Sequence, residues 1–191
     1  IQNTDIAKVC FTGSVGGGKR MMEMASKTLT RVSLELGGND PAVILEDAIL
    51  DDTHLDRLFA AIYDTTGQIC MNAKRVYVHH SRLDDVVAGL EARLEKTVLG
   101  YGLDEATTMG PLHQPAQKAF VEEIIQEAKD AGAEVREYGT LPTGDLEGGN
   151  FLRPAIVIDP DPTLRVVTQE QFGPVIPLLP STARAGVLAA T

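Results

Sequence analysis

The chain has 191 residues, 43% hydrophobic, 23% charged and 5% aromatic, with no Trp. That is enough for one ordinary domain, or a domain with a remnant of another, and it is a globular composition rather than a disordered or fibrous one. The formal net charge is -10 and no basic run is longer than two residues, as at Lys19-Arg20, so the basic stripe of a nucleic-acid binder does not appear. No apolar run reaches transmembrane length, and Ile-Gln-Asn-Thr-Asp at the start has neither the form of a signal peptide nor an initiator Met.

Val9–Thr12 reads as a short buried strand ending in the turn Gly13-Ser14, and Lys19–Leu29 as a helix. Val32, Leu34 and Leu36 alternate, which predicts a strand over Arg31–Leu36, broken by Gly37-Gly38-Asn39-Asp40-Pro41. Ala42–Leu45 is a second apolar strand. Asp52 or Thr53 can cap a helix running to about Thr66, with Leu55, Leu58, Phe59 and Ile62 on one face. Lys74–His79 is a strand centred on Val76 and Val78. Helical spacing of Val86, Val87, Leu90, Leu94 and Val98 predicts a helix over Leu83–Leu99. Pro115–Ala131 is another helix, with Phe120, Val121, Ile124, Ile125 and Ala128 inward and Gly132 just past its end. Glu134–Tyr138 is strand-like and Thr140–Asn150 a loop. Pro154–Ile158 is a strand stopped by Asp159-Pro160-Asp161-Pro162, and Val175–Leu179 is the last strand. The alternation predicts an α/β fold: a mainly parallel, twisted sheet with helices on both faces. There is no internal repeat. Ser181–Thr191 is Ala-rich and without a motif.

Cys10 and Cys70 do not make a disulfide framework, so a reducing cytoplasm is the default location. Cys10, between Val9 and Phe11, reads as a small buried hydrophobe. Cys70 follows Gly67-Gln68-Ile69 at the end of a helix-like run, where a turn can present it; its thiolate can attack a carbonyl and later leave from a thioester. Glu35 lies between Leu34 and Leu36 beside two glycines that permit close approach of a backbone or cofactor. It is either a solvated strand Glu or a cleft carboxylate, and burial would raise its pKa toward the range of a general base. Glu170 precedes Gln171-Phe172-Gly173-Pro174, a turn that can hold it rigidly. On a strand, adjacent His79 and His80 would point to opposite faces. His54 and His113 are isolated, so no metal site is expected.

One rival reading is a phosphate-binding NTPase, because Gly13-Ser14-Val15-Gly16-Gly17-Gly18-Lys19 follows a strand and fits most of a Walker A loop. It fails at Arg20, which stands where a Mg²⁺-binding hydroxyl is required. Its second element, Ile156-Val157-Ile158-Asp159, ends in an Asp held in a Pro turn.

Leu34-Glu35-Leu36-Gly37-Gly38, Gly67-Gln68-Ile69-Cys70 and Glu170-Gln171-Phe172-Gly173-Pro174, in that order, resemble the NAD(P)-dependent aldehyde dehydrogenase superfamily, from about Phe11 to about Pro180. The resemblance implies residues 1–36 as the end of a Rossmann-like cofactor domain, 37–180 as most of a catalytic domain and 181–191 as a truncated or atypical tail. It implies oxidation of an aldehyde to a carboxylic acid with NAD or NADP. Cys70 is then the nucleophile and Glu35 activates the water that hydrolyses the thioester. By the same resemblance Glu170 bonds the nicotinamide ribose and Phe172 meets the ring. Gly13 lies under the nicotinamide, Ser14 meets the pyrophosphate at a helix start, and Leu36 lines the cofactor site. Gln117, after Gly110-Pro111-Leu112, stands where the family has a ribose-contacting Gln, although the family's Lys three residues on is Phe120 here. Val15-Gly16-Gly17-Gly18 also departs from the family's usual Glu and single glycine. The expected partners are a small aldehyde and copies of the chain, as a homodimer or homotetramer, with no nucleic acid and no membrane. The chain alone is expected to be inactive, because the family places further cofactor strands and an oxyanion-binding Asn upstream. The alternative is a non-catalytic fragment or pseudoenzyme that acts as a binding module.

Overall fold

A computed structural model describes residue 3 and residues 5–182. The expected tail therefore lies outside the described residues, apart from Ser181 and Thr182. The chain divides into two compact units between Gly38 and Asn39, just past the boundary expected after Leu36.

The first unit is β1 (Lys8–Thr12), α1 (Val15–Ser26) and β2 (Arg31–Glu35). The two strands pair in parallel, Thr12 opposite Glu35. The helix starts well before the expected Lys19. Ser14 caps it by accepting the Gly17 N–H at 3.1 Å, which lets three glycines occupy the first turn despite their poor propensity. A Cβ on the third, Gly18, would lie 2.8 Å from the end of the Leu36 side chain, which would have to shift. Cys10 is exposed rather than buried, because the alternation along β1 turns Val9 and Phe11 the other way.

The second unit contains β3 (Asp40–Ile44), α2 (Asp52–Tyr63), β4 (Ala73–His79), α3 (Leu83–Leu94), α4 (Pro115–Asp130), β5 (Glu134–Glu137), β6 (Ala155–Ile158), α5 (Arg165–Thr168) and β7 (Val175–Ser181). The strand order is β3-β4-β7-β6-β5. All neighbours are parallel except β5 and β6. One face carries Val76, Val78, Ile156, Ile176 and Leu178 against Ile62 of α2 and Val86, Leu90 and Leu94 of α3. The other carries Tyr77, Ala155, Val157, Val175 and Leu179 against Val121, Ile124, Ile125 and Ala128 of α4 and Val166 of α5. The expected mainly parallel sheet with helices on both faces is thus observed.

Several local expectations fail for physical reasons. Asp51, not Asp52 or Thr53, caps α2 by accepting the His54 N–H. The third helix stops at Leu94, and Val98 is 47% exposed while Leu99 is buried through a bridge to Met109. The helical spacing of Val98 was coincidental. His79 and His80 do not oppose each other: β4 ends at His79, the chain turns, and the rings lie 4.4 Å apart. The four-residue α5 carries no periodic signal and was missed. Among the described residues, no group of three or more His, Cys, Asp or Glu is arranged to hold a metal, and no helix is long and apolar enough to cross a membrane.

Away from the sheet's central strands, Glu91 of α3 ties the β5 edge down. Its carboxylate accepts from the Tyr138 hydroxyl at 2.5 Å and from Arg136 at 2.7 Å. The Tyr138 bond, then the Arg136 bond, hold the Glu91 carboxyl below the usual range. A carboxyl with a depressed folded pKa stabilises the fold above its unfolded pKa and loses that contribution as pH falls through the folded value. Glu91→Gln should therefore lower stability by about 1 kcal/mol at pH 7. Urea titrations at descending pH should show the gap to the native protein closing below the carboxylate range; a gap independent of pH would refute the charge-dependent tie.

Candidate active site

The candidate residues form two groups, one in each unit. In the first, Gly13 and Glu35 meet at the carboxyl ends of β1 and β2, where the Gly13 N–H donates to the Glu35 carbonyl at 3.0 Å. Ligands of open parallel sheets bind at such ends. The Phe11 ring lies against Gly13 and Gly17, at 2.7 Å from where either Cβ would be. Glu35 is exposed, the solvated one of the two settings expected for it. Ser14 uses its hydroxyl as the helix cap. Leu36 rests its side chain on Gly18. The first turn of α1 has no acidic residue and Gly16 is open. Backbone N–H groups there can approach a pyrophosphate, so the donor set fits a dinucleotide.

The second group gathers at the amino ends of β4 and β7, which are neighbours in the sheet. Before β4 the chain passes through three consecutive left-handed residues, Thr65 (φ 54°), Thr66 (φ 61°) and Gly67 (φ 72°). Such conformations cost free energy for residues other than Gly and persist only where the surroundings fix them. The surroundings do so here. The Thr66 hydroxyl donates to the Gly110 carbonyl at 3.1 Å, and the Gln68 amide donates to the Pro111 carbonyl at 3.3 Å. The Gln68 Oε1 accepts from the His113 N–H at 2.9 Å. Buried Asn72 donates to the Ile62 and Asp64 carbonyls, 3.2 Å each. Cys70 emerges from this loop exposed.

The turn before β7 abuts the same loop. A Cβ on Gly67 would lie 2.3 Å from the Gly173 carbonyl oxygen, so backbone meets backbone. Phe172 is itself left-handed at φ 47°. Gln117 holds it: its amide nitrogen donates to the Gln171 and Phe172 carbonyls at 2.8 and 3.3 Å. The structure thus commits that nitrogen to shaping the Phe172 turn, and only the amide oxygen is left to serve the ribose contact expected by resemblance. Fully buried Gln171 donates to the Lys74 and Val166 carbonyls. Half-buried Glu170 opens the same turn. The Phe172 ring meets His113 edge-on at 6.3 Å. A carboxylate beside an aromatic ring suits a ribose and its attached planar base, so this group too fits a nicotinamide nucleotide.

Residues 1–190 match the aldehyde dehydrogenase family. The chain belongs to the aldehyde dehydrogenase family. It is 38% identical to a glutarate-semialdehyde dehydrogenase of Pseudomonas putida over 98% of this chain and 38% of that protein. It is 37% identical to an NADP(+) succinate-semialdehyde dehydrogenase of Escherichia coli, again over 98% of this chain and 38% of the relative. Among solved structures, an NAD+ complex of an aldehyde dehydrogenase from Bacillus cereus superposes with a TM-score of 0.89 at 35% identity, covering 98% of this chain and 38% of that one. The chain therefore spans well under half the length of these aldehyde dehydrogenases. With this family membership the NTPase reading is set aside.

The sequence reading missed Lys74, Gln68 and Gln171, and it took Asn72 only as a neighbour of Cys70 that could touch substrate. Lys74 left a signal, since it shares a strand face with Val76 and Val78, where a charged residue has no ordinary reason to be.

The Gly67–Gly173 approach is testable against a control. Gly132 has φ 86° and open space around it, so Gly132→Ala should lose only the left-handed penalty, about 1 kcal/mol. Gly67→Ala adds a clash with backbone and should lose at least about 2 kcal/mol more. Equal losses in urea unfolding would show that the two turns are not tightly packed.

Proposed function

We propose that the whole protein oxidises an aldehyde to a carboxylic acid with NAD(P)+. The observation that carries this reading is an exposed Cys70 on a backbone loop held in left-handed conformations and packed against the Glu170–Pro174 turn. Preorganisation of that kind around an exposed thiol is what nucleophilic catalysis requires.

In the proposed reaction the Cys70 thiolate attacks the aldehyde carbonyl to give a thiohemiacetal. The Cys70 backbone N–H supports the developing oxyanion. The nicotinamide, when bound, supplies the hydride acceptor. Loss of hydride leaves a Cys70 thioester; Glu35, exposed and able to exchange protons with solvent, takes a proton from the attacking water, and the acid departs with Cys70 regenerated. Glu170 and Phe172 hold the nicotinamide riboside end, Gln117 fixes the turn that carries them, and Gly13, Ser14 and Leu36 border the dinucleotide at the start of α1. The semialdehyde relatives, and a Staphylococcus aureus structure described as betaine aldehyde dehydrogenase with NAD+, support a small aldehyde as substrate. A cytoplasmic homodimer or homotetramer is the form proposed for the intact enzyme, and the present chain alone is proposed to turn over little.

The test is NAD(P)H formation across a panel of aldehydes, on the full-length protein. Cys70→Ala should abolish the signal, a loss of at least about 10⁴-fold. Glu35→Gln should accumulate an acyl-enzyme visible by mass on the Cys70 peptide. A folded protein that reduces no cofactor with any aldehyde would overturn the reading in favour of a binding module.

A further inference from the structure

Lys74 is 3% exposed, and its Nζ donates to the Gly67 carbonyl at 2.9 Å and the Ile69 carbonyl at 2.8 Å. It lies over the Phe172 ring, 5.5 Å from the centroid. Its backbone carbonyl accepts from Gln171. One residue therefore touches both turns of the second group. Burial pulls its amine below the usual lysine range, while the charges of Glu170, Cys70 as thiolate and Asp40 act the other way.

The Ile69 carbonyl has a particular consequence. It belongs to the same planar trans peptide as the Cys70 N–H, so the two point in opposite directions. Lys74 Nζ draws the oxygen inward, and the Asn72 N–H also donates to it at 3.2 Å. The Cys70 N–H therefore points away from Lys74. We propose that Lys74 is a positioning residue for the oxyanion: by clamping the Gly67 and Ile69 carbonyls it locks the Ile69–Cys70 peptide plane with its N–H aimed at the substrate oxygen. The inference rests on Cys70 being the nucleophile.

Two thiol probes separate this role from others, both used on the full-length protein in a Cys10→Ser background. Iodoacetamide alkylates sulfur by displacing iodide, with no oxyanion formed. p-Nitrophenyl acetate acylates sulfur through a tetrahedral oxyanion and releases p-nitrophenolate, so that an S–C bond forms as the C–O bond breaks. Lys74→Met should slow acylation of Cys70 on the order of 10²-fold while changing its alkylation less than about threefold. Lys74→Arg, which keeps donors for both carbonyls, should recover most of the acylation rate. If Lys74→Met does not fold, the same ratio is read on Lys74→Gln, with at least about tenfold slower acylation expected. Both rates falling together would mean a general loosening of the loop or a loss of thiolate, and neither rate moving would mean no role; either result overturns the proposal. Failure of the nucleophile reading shows separately, as native protein in which the acetyl group does not arrive on Cys70.

Discussion

The second unit is organised around one contact between two pieces of backbone. Where Gly67 and Gly173 meet, there is no room for a Cβ on the first, and a Cβ on the second would sit 2.7 Å from Val121 of α4. Three layers are therefore stacked at minimum separation: the loop entering β4, the turn entering β7 and the helix across that face. The left-handed residues on either side, Thr65, Thr66 and Phe172, are consequences of bringing two chains this close while both strands enter the same sheet in parallel. The side-chain bonds of Thr66, Gln68, Gln117 and Gln171 all end on backbone carbonyls. Those bonds hold the turns; the sheet alone would not.

The two units place their candidate residues at opposite ends of their strands. Gly13 follows β1 and Glu35 ends β2, at the carboxyl ends where parallel sheets ordinarily bind ligands. Cys70 and Glu170 precede β4 and β7. An amino-end location cannot draw on the N-terminus of a helix that follows directly from the strand. The second group instead depends on fixed backbone: a carbonyl-lined loop, an aromatic ring and one buried ammonium. A loop with carbonyls turned inward must turn the N–H groups of the same peptides outward.

How much of this was legible follows from what each kind of signal measures. Apolar periodicity located nearly every strand and helix because burial sets it, and it placed Val121, Ile124, Ile125 and Ala128 on the correct face of α4. It failed at Val98, where spacing continued past the end of the helix, and at Cys10, where alternation on a two-stranded sheet faces the residue outward. It had nothing to register for α5, which is a single turn. His79 and His80 were misjudged because a strand rule was applied across a strand end. The motif residues stood out by their order and neighbours, but their supports did not: Gln68 and Gln171 reach backbone carbonyls far along the chain, and no local pattern encodes them. Glu35 was open between a solvated strand residue and a cleft carboxylate, because its local pattern fits both; in this chain it is exposed.

Lys74 shows why such a support is kept. Removing an ammonium from water costs several kcal/mol even after relaxation. Two hydrogen bonds from a charged donor contribute about 1.5–3 kcal/mol each, and an aromatic face about 1–2 kcal/mol more. The gains and the penalty are of one size, so Lys74 adds little net stability. A methionine of similar length would fill the same space without desolvating a charge. It would not, however, distinguish the orientation in which the Gly67 and Ile69 carbonyls point inward from one in which those peptides are flipped, because an apolar side chain has no preference for an oxygen. Only a donor makes that distinction. With the energy nearly balanced, orientation is what Lys74 contributes, and the peptide whose orientation it sets is the one that carries the Cys70 N–H.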